Sequence, residues 1–75
     1  MSDTILIVED EQDVLDLVAY NLRKAGYHTV AARDGAAGLT KARDLLPALL
    51  ILDLMLPDLP GVEIMKKLRA QPAEE

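Results

Sequence analysis

The chain has 75 residues, 51% of them hydrophobic and 28% charged, with a formal net charge of -5 and no cysteine. That length bounds it to one small domain, near the size at which folding buries only about 60% of the unfolded surface, and the missing cysteines exclude disulfide staples and thiolate metal sites and fit a reducing cytoplasm. No basic segment precedes a long apolar one at the N-terminus, and the longest apolar stretch, Leu45 to Leu52, is broken by Pro47. A signal peptide and a membrane span are therefore not expected, and without clustered Lys and Arg neither is direct nucleic-acid contact by this segment.

Strand and helix alternate three times along the chain. Residues 4–8 carry the apolar run Ile5-Leu6-Ile7-Val8, which ends on Glu9 and Asp10 and reads as a strand buried on both faces. Asp10-Glu11-Gln12-Asp13 then places acidic residues where a helix N-terminus favours them, and a helix over 12–25 is predicted, with Val14, Leu15, Leu17, Val18 and Leu22 as its apolar stripe and Gly26 as a left-handed stop. Residues 27–32 form a second, more polar strand, with Thr29 and Ala31-Ala32. Asp34-Gly35 is a turn and cap opening a helix over 35–46, with Ala36, Leu39, Ala42, Leu45 and Leu46 inward and Pro47 ending it. The third strand, 48–53, closes on Asp53; after a loop bearing Pro57 and Pro60 a last helix spans 61–70, with Val62, Met65 and Leu68 inward. The polar tail 71–75 is expected to fray.

Right-handed strand-helix-strand connections leave few arrangements of three parallel strands. The first strand is apolar throughout and so central, whereas the second is polar enough for an edge, giving strand order 2-1-3. Ligands of such sheets bind beyond the carboxyl ends of the strands, where strand order reverses. Glu9, Asp10 and Asp53 converge there, and an all-oxygen group of that kind suits Mg2+. With the cation present one carboxylate stays ionised and can attack a phosphoryl group; Asp53, alone on its strand, is the candidate nucleophile. Taken singly, Asp53 reads equally well as a turn residue, and Glu11 and Asp13 as a favourable helix start.

Ile-Leu-Ile-Val-Glu-Asp-Glu at 5–11, Asp34-Gly35, and Ile-Leu-Asp-Leu-Met-Leu-Pro-Asp at 51–58 followed by Pro60-Gly61 together resemble the receiver domain of bacterial two-component response regulators, in the variant similar to receivers of winged-helix transcription factors. The resemblance covers the whole chain. It implies a flavodoxin-like, three-layer α/β fold, a phosphoacceptor role for Asp53, direct Mg2+ ligation by Asp10, action of Glu9 on the metal through water, and a main-chain carbonyl ligand from Met55. It also implies a sensor histidine kinase as partner, with Pro57 and Gly61 shaping the loop. Ala48 departs from the pattern, where an acidic residue often follows the proline.

A complete receiver has five strand-helix units, so residues 1–75 read as a partial domain without the Ser or Thr and the Lys that would contact a phosphoryl group from the fourth and fifth strands. Lys66 and Lys67 lie too far along the last helix to replace that Lys. The open edge of the third strand, Leu49 to Leu52, and uncovered helix faces predict a homo-oligomer. The alternative to a phosphoryl-accepting module is a self-associating structural unit that transfers no phosphate. An enzyme is not expected: the haloacid-dehalogenase pattern of a second Asp two residues after the nucleophile is absent, as is any phosphate-cradling Gly-rich loop. His28 reads as a surface residue, and Met55 and Met65 as core filler.

Overall fold

The computed structural model describes residues 4–70 and contains β1 (Thr4–Val8), α1 (Gln12–Lys24), β2 (His28–Ala32), α2 (Gly35–Leu45), β3 (Leu49–Leu52) and α3 (Gly61–Ala70). The strands form one parallel sheet in the expected order β2-β1-β3. Successive residues of β1 point to opposite faces, and both faces are covered. Leu6 and Val8 pack beneath α2 and α3 with Ala32, Ala42, Leu56 and Ile64, while Ile5 and Ile7 pack against Leu15 and Ala19 of α1. β1 is therefore apolar from Ile5 to Val8, where it has no solvent face, and the sheet has a helical layer on each side. The expected fraying of 71–75 concerns residues outside those described.

Element ends differ from expectation by a residue where a cap takes over the backbone. The Gly26 N–H donates to Arg23 O and the Tyr27 N–H to Leu22 O, with Gly26 at φ +101°, so Tyr27 closes α1 and β2 starts at His28. Leu46, in the left-handed region at φ 48°, caps α2 and so lies beyond it. Ala48 and Asp53 each donate one N–H to β1, to Thr4 O and Val8 O, and flank β3 without belonging to it.

The helix faces are where the sequence expectation needs correction. In α1 the inward set is Leu15, Val18, Ala19 and Leu22; at 100° per residue Leu17 falls about 150° from the centre of that set and is 62% exposed, and Val14 lies on its flank. In α2 the contact is made by small residues, Gly35, Gly38 and Ala42, while Ala36, Leu45 and Leu46 are exposed. A Cβ on Gly38 would lie 2.7 Å from Val8 Cγ2, so this helix sits lower on the sheet than leucines would allow. In α3 the buried stripe is Gly61 and Ile64, with Leu68 partly buried, rather than Val62 and Met65, which are exposed. Both stripes have helical spacing, and only one faces the sheet. Leu56, within the loop after β3, completes the core beneath α2 and α3.

Ile64 is fully buried and Met65 is 42% exposed, and this predicts an asymmetric response to truncation. Ile64→Ala should cost about 2–5 kcal/mol, the range for large-to-small core substitutions, and Met65→Ala much less. Urea unfolding of the two variants in the full chain reads the difference directly; equal losses would place both stripes against the core.

Candidate functional site

Parallel pairing sets the strand ends level. Val8 stands opposite Ala32 on one side and Leu52 on the other, so the next residues, Arg33, Glu9 and Asp53, form a row along the carboxyl edge of the sheet. The row is pinned by two hydrogen bonds that continue the ladders: the Glu9 N–H donates to Ala32 O and the Asp53 N–H to Val8 O, both at 3.0 Å. Asp10 follows in the turn towards α1. One carboxylate oxygen from each of Glu9, Asp10 and Asp53 lies within 4.8 Å of the other two, and among the described residues this is the only group of three so placed. All three side chains are partly exposed, as a site open to solvent-carried ions requires.

The donor set can be tested against the ion it suggests. Mg2+ prefers six hard oxygen ligands at about 2.1 Å, which puts ligand oxygens about 3 Å apart when adjacent and about 4 Å apart when opposite, and it commonly keeps several waters. Three carboxylate oxygens within 4.8 Å, from two backbone segments and partly exposed to solvent, fit that pattern with small side-chain movements. The Met55 N–H donates to Asp53 Oδ1 at 3.0 Å, so the turn after β3 folds the Met55 backbone over the acidic group. The same turn leaves the Met55 side chain 84% exposed, correcting the expectation that it fills the core; Leu56 does so instead. Gly61 lets α3 begin against this turn: a Cβ there would lie 2.7 Å from Asp53 O and 2.8 Å from Leu54 Cα.

The electrostatics of the bare group are unfavourable. Glu9 accepts the Glu11 N–H at 3.1 Å, which pulls its pKa down, but burial and the charges of Asp53 and Asp10 outweigh that bond and hold it above the ordinary glutamate value. Lys66 gives no relief at this edge, since it pairs with Glu63 along the surface of α3 at 3.7 Å.

Two residues at this edge carry no signal that strand patterns or charge motifs alone pick up. Arg33 donates from one guanidinium nitrogen to Asp10 O at 3.0 Å and from another to Gln12 Oε1 at 2.6 Å, a long-range arrangement that becomes legible only once β2 is in register with β1. Asp58 accepts the N–H of Gly35 at 2.7 Å and of Ala36 at 3.1 Å, and these bonds, that of Gly35 foremost, hold its pKa below the ordinary aspartate value.

A parallel sheet wound on both faces, with an acidic group at its reversal point, defines a class of ligand-binding α/β domains. Comparison narrows the class: residues 5–75 match the response regulator receiver domain, and the chain belongs to that family. It is 45% identical over 71 residues to the alkaline phosphatase synthesis transcriptional regulatory protein PhoP of Bacillus subtilis, covering 95% of this chain and 30% of that protein. Among solved structures it is similar to the chemotaxis response regulator CheY4 of Vibrio cholerae, with a TM-score of 0.89 and 31% identity over 95% of this chain and 59% of that one. It is also similar to the response regulator TrrA of Thermotoga maritima, solved in complex with Mg2+-BeF, with a TM-score of 0.85 and 32% identity over 92% of this chain and 59% of that one. The chain thus spans under a third of that curated relative and somewhat over half of each solved receiver.

The raised Glu9 pKa has a consequence for metal-free stability. A carboxyl whose folded pKa exceeds its unfolded value stabilises the fold below the unfolded pKa, and that contribution is lost as pH rises through the folded pKa. Glu9→Gln, which keeps an acceptor for the Glu11 N–H, should therefore raise the urea midpoint of the Mg2+-free chain at neutral pH. Its advantage should vanish as pH falls through the glutamate range, where the parent protonates Glu9 itself. An advantage independent of pH would mean that charge repulsion is not its source.

Proposed function

We propose that the chain is a signalling module that accepts a phosphoryl group on Asp53 from a sensor histidine kinase in the presence of Mg2+. The observation that carries this reading is the convergence of the Glu9, Asp10 and Asp53 carboxylates at the carboxyl edge of a receiver sheet. Asp10 would bind the ion directly, Glu9 through water, Asp53 through one of its two oxygens, and Met55 through its main-chain carbonyl. The complex of the similar Thermotoga maritima regulator with Mg2+-BeF supports a metal at this position. When bound, the ion offsets negative charge on the transferring oxygens.

The geometry supports a part in transfer for the chain's own residues. β3 holds Asp53 at its end by the bond to Val8 O, and the Met55 N–H on Oδ1 fixes the carboxylate's rotation. The other oxygen attacks phosphorus as the bond between phosphorus and the donor imidazole nitrogen breaks. That nitrogen leaves with the electron pair, and Asp53 becomes an acyl phosphate. Asp53 is modified once per transfer, so the chain acts as acceptor and not as an enzyme on a separate substrate. Its net charge of -5 supports a role without nucleic-acid contact by this segment. No helix among the described residues is long and apolar enough to cross a membrane.

Incubation with Mg2+ and acetyl phosphate, followed by intact mass, tests the acceptor role. One alkali-labile phosphoryl group is expected on the parent, and none should form when Mg2+ is chelated before the donor is added or in Asp53→Ala. A folded parent that gains nothing would overturn the acceptor role and leave the structural alternative.

A second copy of the chain is the partner best suited to the outer edge of β3. That edge carries Leu49, which is exposed, beside the partly buried Leu50 to Leu52, and among the described residues β3 pairs with β1 alone. Two such edges complement each other about a two-fold axis. Sedimentation of the 75-residue chain at micromolar concentration should show a dimer. Leu49→Lys, at the exposed position of that strand, should shift it towards monomer, whereas a parent that sediments as a stable monomer would remove the proposal.

A further inference from the structure

We infer that the turn joining β2 to α2 is a clasp for the two loops that carry the acidic group, with Arg33 and Asp58 as its positioning residues. The inference rests on the reading of Glu9, Asp10 and Asp53 as a metal site. Neither Arg33 nor Asp58 belongs to that group, yet each ties one of its loops to the same four-residue segment, 33–36.

On one side stands the loop from β1 to α1. Glu11, at the N-cap of α1, makes no side-chain capping bond, so the helix start is not fixed by its own cap. Arg33 supplies the anchor from outside. Its planar guanidinium spans Asp10 O and Gln12 Oε1, and Gln12 in turn donates from Nε2 to Asp16 Oδ1 at 2.7 Å. Two points of attachment fix the direction of the loop as well as its distance, which a single ammonium would not do.

The loop from β3 to α3 stands on the other side. It carries Met55 at one end and Asp58 near the other. Both oxygens of Asp58 are taken by N–H groups of α2, those of Gly35 and Ala36, while the next N–H, of Ala37, is taken by the cap residue Asp34 at 2.8 Å. The first three donors of α2 are therefore all used, two of them on a carboxylate from a distant loop. A helix N-terminus that holds an anion from another segment acts as a tether, and the positive end of the helix strengthens it.

Together the bonds bring Asp10 and the Asp53–Met55 turn to one rigid reference, the register of β2 with β1. Mg2+ tolerates little departure from octahedral geometry, so ligands drawn from two loops need both loops held to within about 0.5 Å. Groups that hold ligands without touching the metal alter affinity by about ten- to a hundredfold, and the lower figure is expected here because Arg33 and Asp58 act through backbone.

Calorimetric titration of the full chain with Mg2+, beside urea unfolding of the same proteins, tests the clasp. Arg33→Ala and Asp58→Ala should each weaken binding about tenfold, at the lower end for such supporting groups. Asp58→Asn, which keeps one acceptor oxygen, should recover part of the loss, and Arg33→Lys, which keeps charge but not the two-point grip, should recover little. Ile5→Val, a core change against α1 at the opposite end of β1 from the clasp, should lower stability and leave the affinity of the folded protein unchanged. Parent-like affinity in both alanine variants would overturn the inference while leaving the metal reading intact, as would an affinity loss in Ile5→Val that matches theirs at equal loss of stability. A parent that binds no Mg2+, like Asp10→Ala, would overturn the metal reading and the clasp with it.

Discussion

The parallel register of β1 with its two neighbours is the constraint on which the rest depends. Because Val8 faces both Ala32 and Leu52, the chain leaves all three strands at the same level, and whatever follows each strand is forced into one row. The register is in turn enforced by burial. Ile5 and Ile7 must lie on the α1 side and Leu6 and Val8 on the α2 and α3 side, and a slip of one residue would exchange the two sets. Core packing thus fixes the spacing of the carboxylates, although none of them is in the core.

Bringing three carboxylates together opposes folding, and the structure limits that cost without removing it. The group sits at the edge of the sheet, partly in water, where like charges repel weakly compared with a buried site. The Glu11 N–H on Glu9 and the Met55 N–H on Asp53 Oδ1 add partial positive charge. What remains is a fold whose metal-free form carries repulsion that a divalent cation removes. Binding to the native state alone shifts the folding equilibrium towards it by mass action, so on the proposed reading an ion bound here would stabilise the domain as well as prepare Asp53.

The sheet and its acidic edge were legible in the sequence because their signals are local: continuous apolar runs, and charges at the ends of those runs. Helix faces were less so. Val62 and Met65 have the spacing of a buried stripe as truly as Gly61, Ile64 and Leu68, and hydrophobicity alone favours the wrong one. In α2 the reading favoured Ala36, Leu45 and Leu46 over the glycines that make the contact, since a pattern that weighs side chains gives no weight to a residue chosen for having none. Arg33 and Asp58 escaped for a different reason. Their partners lie 21 to 23 positions away, and two of Asp58's acceptor bonds go to backbone, which has no sequence signature at all.

The glycines of α2 connect these two failures of sequence reading. Gly38 lets the helix approach until Val8 Cγ2 stands 2.7 Å from where a Cβ would be, and Gly35 meets Leu59 in the same way, with its Cβ at 2.6 Å. A helix held off by ordinary side chains would carry its N-terminus away from the loop after β3. The bonds from Gly35 and Ala36 to Asp58 would then lengthen beyond hydrogen-bond range, since geometry worth having extends over only a few tenths of an ångström. Small residues inside the core therefore set the reach of a carboxylate on the surface. The acidic edge, its supporting turn and the packing of α2 on β1 form one continuous mechanical unit, and the site is as well placed as that helix is close.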